Sequence, residues 1–289
     1  MGSPRPSSLA YHILSTTLRR LGLGCVDCLP PTAYCLPTTA RLLSLLIAIA
    51  LGVVVASPAP ASLAGPRHFE YRIAWNGLPA GSATVDIKDQ EFAGAAGYSV
   101  RAAARTNAVV DLFWSFRGVA HTTLLADGLV PLRFTYDRQT NRLPESTWLD
   151  FDRIKQRAQG THFKGDQRKD AEVDATDLTD PITAILHACA TGVEPGGERR
   201  YHVFTGESQY VVALHAVGEE EITVPAGRFR ALKIVPAVWK IKEAAEPDQR
   251  LHQATIWVTP DSAHTILRVR GEVFIGAVTL DLVGLGVAS

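Results

Sequence analysis

Residues 69–87 have the sequence FEYRIAWNGLPAGSATVDI, and this stretch decides the fold. Apolar side chains occupy every second position on both sides of Asn76-Gly77. A period of two is typical of a β-strand with one buried face. Asn-Gly favours a tight turn because both residues tolerate positive φ. The stretch therefore predicts a β-hairpin whose turn depends on Asn76, Gly77 and Gly81.

The same alternation continues beyond the hairpin. It predicts strands over 98–105, 113–125, 129–137, 146–156, 201–204, 210–217, 229–238, 254–258 and in a long run over 266–282. Turns are predicted at 127–128, 218, 260–261 and before Gly227, and a change of phase at Ala231-Leu232 predicts a β-bulge. The polar stretch 157–180 is expected to be a loop or an exposed hairpin.

This many strands cannot form a wide flat sheet without leaving long adhesive edges. We therefore predict an all-β fold over residues 65–289, a single domain built on a strongly curved antiparallel sheet or half-open barrel. Folds of this kind often enclose an apolar cavity.

One segment, at about 180–191, breaks the strand pattern and predicts a short helix. Asp180 is a good N-cap, Pro181 suits the first helical position and Gly192 can end the helix. An apolar face is formed at helical spacing by Ile182, Ile185, Leu186 and Cys189. We expect this face to pack on the sheet, with Cys189 as a small core residue.

Residues 1–64 are predicted to be a leader and signal peptide. Arg41 precedes an uncharged apolar run at 42–56, and small residues and prolines follow. A retained membrane anchor is the alternative, but a spanning helix needs about 20 apolar residues, more than this run supplies. We expect cleavage between Ala56 and Ala64, which would leave the protein periplasmic or secreted.

Composition narrows the choice of partners. The formal net charge is zero and no basic stripe is present, so a nucleic-acid partner is not expected. Three of the four cysteines lie in the predicted leader, which leaves Cys189 alone and without an internal disulfide partner. Neither catalytic motifs nor a metal or cofactor signature could be identified.

Aromatic residues are the best candidates for ligand contacts. Trp114 and Phe116 lie in a segment with more apolar surface than one sheet face needs, and Trp239 comes near the end of its strand. The predicted ligand-binding residues are Trp114, Phe116, Trp148 and Trp239. The alternative is that these side chains only pack the core. The turn at 75–81 likewise has a structural interpretation and an alternative as a partner-docking loop.

Several motifs together resemble one family. They are FEYRIAWNGLPAGSATV at 69–85, GLVP at 128–131 with Phe134, the helical segment 177–186, VPAGRF at 224–229 with Lys233, IWV at 256–258 with Asp261, and Gly276. Their order and spacing resemble the bacterial "domain of unknown function 3108" family over roughly 69–284. The segment 263–266 departs from the pattern, where an Arg and a Pro are expected. The resemblance implies an exported, β-rich protein and brings no established catalytic residues.

Three functional hypotheses follow. The first is a non-enzymatic envelope protein that binds an apolar, lipid-like ligand or an envelope protein partner in the concavity of the sheet. The second is an envelope hydrolase acting on glycan or lipid, which would need converging carboxylates or a nucleophile and base. The third is a structural or assembly factor that uses exposed sheet edges.

Overall fold

A computed structural model of the chain describes residues 67–241, the backbone of 248–251, and residues 254–273 and 275–286. The predicted leader and its cleavage site lie outside these residues. The first eight strands are β1 (Arg67–Trp75), β2 (Leu78–Phe92), β3 (Ala95–Thr106), β4 (Phe116–Leu125), β5 (Val130–Thr140), β6 (Leu143–Asp152), β7 (Arg157–Lys164) and β8 (Gln167–Asp174). The others are β9 (Leu178–Thr179), β10 (Glu198–Phe204), β11 (Gln209–Val224), β12 (Gly227–Lys240), β13 (Asp248–Leu251), β14 (Ala254–Val258), β15 (Ile266–Glu272) and β16 (Ala277–Gly286). Two α-helices, α1 (Ala108–Asp111) and α2 (Pro181–Thr191), and a 3₁₀ turn at Asp127–Leu129 complete the described elements.

All these strands belong to one sheet. Its order is β8-β7-β6-β5-β4-β3-β2-β1-β16-β15-β14-β12-β11-β10-β9, with β13 pairing beside β12. Two meanders, β1–β8 and β10–β16, meet where β1 pairs antiparallel with β16. Only the short β9 pairs in parallel, with β10.

The sheet curves until its two halves approach each other. Gly160 on β7 lies against Gly206 in the turn between β10 and β11, so close that a Cβ on Gly160 would be 2.5 Å from the Gly206 carbonyl oxygen. The sheet is thus nearly closed into a barrel, which confirms the predicted fold class.

Local details refine the sequence prediction. The long run at 266–282 is a hairpin, β15–β16, turned at Gly276 with φ +82°. The polar stretch 157–180 forms the hairpin β7–β8 and then β9. Only β8 is mostly exposed, because one face of β7, including Ala158, and both residues of β9 are buried. The strand predicted from residue 113 was placed too early, because Asn107 caps the helical turn α1 and β4 starts only at Phe116.

The predicted phase change at Ala231-Leu232 is present, since both side chains are buried. The extra residue lies on the neighbouring strand, at Val217 of β11, where the register shifts between Ala216 and Gly218. Two adjacent strands therefore share the distortion that bends the sheet.

The turn at 76–77 does more than reverse the chain. Asn76 has φ +50° and Gly77 has φ +81°, the positive values that this hairpin requires. The Asn76 backbone N–H donates to the Ala277 carbonyl at 2.9 Å, and its side-chain oxygen accepts from the Ala277 N–H at 2.9 Å. These bonds join the β1–β2 turn to the β15–β16 turn.

Gly81 and Gly227 serve different needs. A Cβ on Gly81 would lie 2.1 Å from the Arg105 carbonyl oxygen, so this glycine permits the close approach of β3. Gly227 has φ +141° where β12 leaves its turn, a conformation that other residues rarely adopt.

Helix α2 lies against the inner side of the sheet. Ile182, Leu186 and Cys189 are buried, as the helical spacing predicts, and Ile185 is half-buried. The main core joins this helix face to side chains from both meanders. Within the described residues, no helix combines the length and apolar character needed to cross a bilayer.

Candidate functional site

An apolar cavity of about 60 Å³ lies between helix α2 and the strands of the second meander. Its walls come from α2 and the turn after it, from β10, β11, β12 and β14, and from the start of β15 with the turn before it. The lining residues are Pro181, Ala184, Ile185, Ala188, Cys189, Gly192, Val193, Tyr201, Val203, Thr205, Tyr210, Val212, Leu214, Ile234, Val238, Ile256, Val258, His264 and Ile266. No single stretch of sequence builds the site.

The few polar side chains on the wall are mostly engaged with the protein. The Tyr201 hydroxyl lies 3.4 Å from Thr191 Oγ1, and burial raises the pKa of Tyr201. The Thr205 hydroxyl donates to the Ser208 carbonyl at 3.2 Å. The surface that remains is apolar and mostly aliphatic, which suits an alkyl chain and not a charged group.

The N-terminus of α2 is fixed to the first meander through Asp180. Its Oδ1 accepts from the backbone N–H groups of Ile182 at 2.9 Å and Thr183 at 3.0 Å, as an N-cap should. Its Oδ2 accepts from the hydroxyls of Thr183 at 2.5 Å and of Thr122, on β4, at 3.0 Å. Complete burial raises the pKa of Asp180, while these four hydrogen bonds favour the carboxylate. The predicted cap is therefore also a tether to a strand 58 residues away.

The C-terminus of α2 is fixed to the second meander through His264. The ring Nδ1 lies 2.8 Å from the Cys189 carbonyl oxygen, an accepting group that helix ends leave unsatisfied. Gly192 lets this ring approach, because a Cβ there would lie 2.6 Å from His264 Nε2 and Gly192 has φ +61°. His264 falls in the segment that departs from the family pattern, and it serves here as a capping residue.

Cys189 has the predicted position on the inner helix face. Its side chain is buried on the cavity wall and forms no disulfide. The contact between this residue and His264 is made by the Cys189 backbone carbonyl.

The four aromatic residues predicted to bind a ligand lie elsewhere. Trp114 and Phe116 stack with ring centroids 5.8 Å apart, and this pair holds the segment after α1 on the core. Trp148 is 49% exposed and packs on Phe163 at 5.4 Å, and Trp239 is half-buried on β12. None of the four is among the residues that line the cavity. Their contact with a ligand stays a prediction.

Sequence reasoning therefore missed most of the cavity wall. The lining residues Val203, Val212 and Val238 lie in short apolar runs of their strands and differ in no local respect from residues that pack in the core. A local pattern cannot tell a residue that meets a packed core from one that meets a gap. A partial signal was the predicted apolar face of the helix, because Ile185 and Cys189 on that face line the cavity.

Acidic and metal-ligating side chains form no further site in the described ranges. No group of three or more His, Cys, Asp or Glu there lies close enough to hold a metal ion. The Asp174 carboxylate accepts from the Thr176 N–H at 2.8 Å and from the Thr176 hydroxyl at 2.7 Å.

Comparison with solved structures gives distant similarities. A β-barrel-like DUF1849 protein from Brucella abortus is 9% identical, with a TM-score of 0.49 over 78% of this chain and 98% of its own. A "putative exported protein" with a YmcC-like fold from Bacteroides fragilis NCTC 9343 is 11% identical, with a TM-score of 0.31 over 81% of this chain and 99% of its own. A "putative lipoprotein" from Parabacteroides distasonis ATCC 8503 is 10% identical, with a TM-score of 0.32 over 78% and 97%.

Sequence comparison is more specific. A comparison with curated proteins found no significant match. The family described as "Protein of unknown function (DUF3108)" matches residues 70–283, which include almost the whole described sheet and helix α2. The chain therefore belongs to the DUF3108 family.

Proposed function

We propose that this chain is an exported envelope protein that binds the apolar chain of a lipid-like ligand under helix α2. The observation that carries the proposal is the aliphatic cavity between α2 and the second meander. Export is supported by the apolar run at 42–56 and the small residues that follow it.

The size of the cavity limits the ligand. Sites for whole drug-sized ligands measure about 300–1,000 Å³, and an engineered cavity of about 150 Å³ holds benzene. At about 60 Å³ this cavity accepts only the end of one alkyl chain unless α2 moves. The two polar tethers at Asp180 and His264 are where such a movement would be resisted.

The test is to identify a bound ligand and to block its site. The mature chain, purified from an envelope fraction, is examined by native mass spectrometry and by solvent extraction followed by mass spectrometry. We expect a single-chain or multi-chain lipid at defined stoichiometry. Ala188 lines the cavity, so Ala188→Phe should fill it and remove the ligand.

A matched control separates this from a general effect of an added ring. Ala96→Phe places the same side chain at an exposed position of β3 and should leave the bound lipid unchanged. Lipid retained in Ala188→Phe, or no lipid in the parent protein, would overturn the proposed site.

The other two hypotheses gain no specific support. Glu207, in the turn between β10 and β11, lies 3.9 Å from His162 Nε2 and forms an ion pair with Lys169 at 3.7 Å, which gives this carboxylate a structural role. The terminal strand β8 carries charged side chains along most of its length, which opposes edge-to-edge pairing.

A further inference from the structure

Large apolar side chains are exposed together at one end of the barrel. Leu78, Leu112 and Phe113 are 71%, 78% and 85% exposed. We call the whole set the apolar rim: Trp75, Leu78, Val109, Leu112, Phe113, Leu143 and Ile275. It holds seven of the thirteen large hydrophobic side chains that are exposed in the described residues, so they are concentrated and not scattered.

Topology brings these residues to the same end. In the first meander, the connections β1–β2, β3–β4 and β5–β6 all lie at one end of the strands, and the pairing of β16 with β1 adds the β15–β16 turn. Hydrogen bonds link the neighbours, from Trp75 Nε1 to the Ile275 carbonyl at 2.8 Å and from Asn107 Nδ2 to the Pro79 carbonyl at 2.7 Å. The Asn141 N–H donates to the Ser115 carbonyl at 2.9 Å, which joins the β5–β6 turn.

The most exposed part of the rim is firmly held. Asn107 Oδ1 accepts from the N–H groups of Val109 at 3.1 Å and Val110 at 2.9 Å. Asp111 forms an ion pair with Arg117, and the Arg117 guanidinium lowers the pKa of this carboxyl. At the end of this segment Trp114 stacks on Phe116, which is buried in the core. A well-bonded loop thus holds Leu112 and Phe113 out into solvent, where exposed apolar surface is unfavourable without a partner.

Charge and shape favour one partner. The rim segments 75–79, 107–115, 141–144 and 275–277 contain only two charged residues, Asp111 and Arg142. Arg117 neutralises Asp111, which leaves the cation of Arg142 and no uncompensated carboxylate. The rim consists of single apolar side chains on separate turns, and one of them is a tryptophan. Such an arrangement suits the boundary between lipid and water, because a bilayer surface has no fixed shape that the protein must match.

The cavity lining extends to the end of the barrel where the rim lies, as well as to the opposite end at His264. Thr205 and Tyr210 line the cavity and flank the β10–β11 turn. By strand direction this turn is at the same end as the β15–β16 turn. We propose that the apolar rim docks the protein on the surface of a lipid bilayer, inserting Leu112 and Phe113 among the head groups.

Vesicle flotation tests the proposal directly. The mature chain is mixed with vesicles of phosphatidylethanolamine and phosphatidylglycerol, and separately with vesicles of phosphatidylcholine, and floated in a density gradient. We expect the parent protein to float with the mixed vesicles. Leu112→Ser/Phe113→Ser should reduce binding roughly tenfold or more, because two large apolar side chains no longer leave water. Both positions are exposed, so folding should be unaffected.

Ile154→Ser is the matched control, because Ile154 is 97% exposed at the opposite end. It should float like the parent protein. A parent protein that floats with neither vesicle type, or a double variant that floats normally, would overturn the proposal. So would light scattering that shows a dimer abolished by the double variant, since a second copy would then cover the rim.

The proposals for the apolar rim and for the ligand site can be contradicted independently. A bound lipid with no vesicle binding would remove the rim proposal alone, and vesicle binding with no extractable lipid would remove the ligand site alone.

Discussion

The inner side of the sheet is filled in the first meander and left partly open in the second. On β1, β4 and β6 it carries large side chains that are fully buried, such as Tyr71, Phe116 and Leu149. On β10, β11 and β12 the corresponding surface includes Val203, Val212 and Val238, which border the cavity. Helix α2 spans both regions and packs tightly on one while leaving a gap on the other.

The difference shows that one short helix can fill the core of the first meander and also cover a cavity in the second. Its N-terminus is bound to β4 by a fully buried carboxylate. Its C-terminus is held by one short bond from the half-buried His264 ring and by two longer, exposed contacts of Thr191, with Tyr201 at 3.4 Å and Arg199 at 3.5 Å. The strong attachment is beside the filled half and the weak one is beside the cavity. We therefore expect movement of α2 to begin at its C-terminal end.

Truncating adjacent residues of α2 gives the largest expected contrast. Leu186 is completely buried in the core, and Ile185 is half-buried on the cavity wall. Leu186→Ala should lower the free energy of unfolding by about 3 kcal/mol, because it empties a packed site. Ile185→Ala should cost about 1 kcal/mol, since its side chain already lacks some neighbours. Urea unfolding measures both, and equal losses would mean that α2 packs equally on the two halves.

Substituting Asp180, the N-terminal tether of α2, should give the next largest change in the free energy of unfolding. Asp180→Ala should cost about 2 kcal/mol, because it leaves buried N–H and hydroxyl groups without an acceptor. Asp180→Asn should cost less, since its side-chain oxygen can still accept from the helix N–H groups. Chemical denaturation of the two variants distinguishes the acceptor from the charge.

The pH dependence of this tether has a definite sign. Burial raises the pKa of Asp180 in the folded chain above the unfolded value of about 3.9. The folded state therefore binds more protons above that value, so the stability that Asp180 contributes is greatest below it and falls as the pH rises through the folded pKa. The unfolding free energy of the parent relative to Asp180→Asn should decrease as the pH rises from about 4. An advantage that grows with pH would contradict the direction of the shift.

The sequence allowed the fold and part of this tether to be predicted. Alternation around Asn76-Gly77 gave the hairpin, and Asp180 with Pro181 gave the helix start, because both depend on neighbours in the chain. The bond between Asp180 and Thr122 could not be predicted, because it joins residues 58 positions apart through the curvature of the sheet.

The location and lining of the cavity could not be predicted for the same reason. Trp114 and Phe116 were predicted to bind a ligand because they are large apolar side chains, but in the structure they stack on each other and hold a loop on the core. The cavity is lined by residues that no local sequence pattern distinguishes. They come from α2 and from strands spread over β10 to β15. Aromatic content indicates how much apolar surface is available but does not indicate where packing is incomplete.

Adding a methylene group should change the stability of the protein in opposite directions in the first and second meanders. Val100 is completely buried on β3, so Val100→Ile should destabilise the protein by about 1 kcal/mol or more through overpacking. Val212 borders the cavity, so Val212→Ile should stabilise it by about 0.5 kcal/mol and weaken ligand binding. Thermal unfolding of both variants tests the sign, and destabilisation by both would mean that the second half has no usable space.

Substituting His264, the C-terminal tether of α2, should have a small effect on global stability and a local effect on the helix end. His264 has φ +40°, and His264→Asn keeps a residue that tolerates this conformation while shortening the side chain. Loss of the bond to the Cys189 carbonyl should cost at most about 1 kcal/mol. The cost is limited because the Gly192 N–H still donates to the Ala188 carbonyl at 2.9 Å and ends the helix.

Hydrogen exchange shows where that small loss acts. Amides in the last turn of α2 should exchange faster in His264→Asn, while those of Ile182 and Thr183 beside Asp180 should keep the parent rate. Asp180→Ala should instead raise exchange along the whole helix, because the end that docks on the filled half is released. If His264→Asn accelerated both ends of α2 equally, the helix would open as one unit, and the packing difference between the two meanders would not determine how the cavity is uncovered.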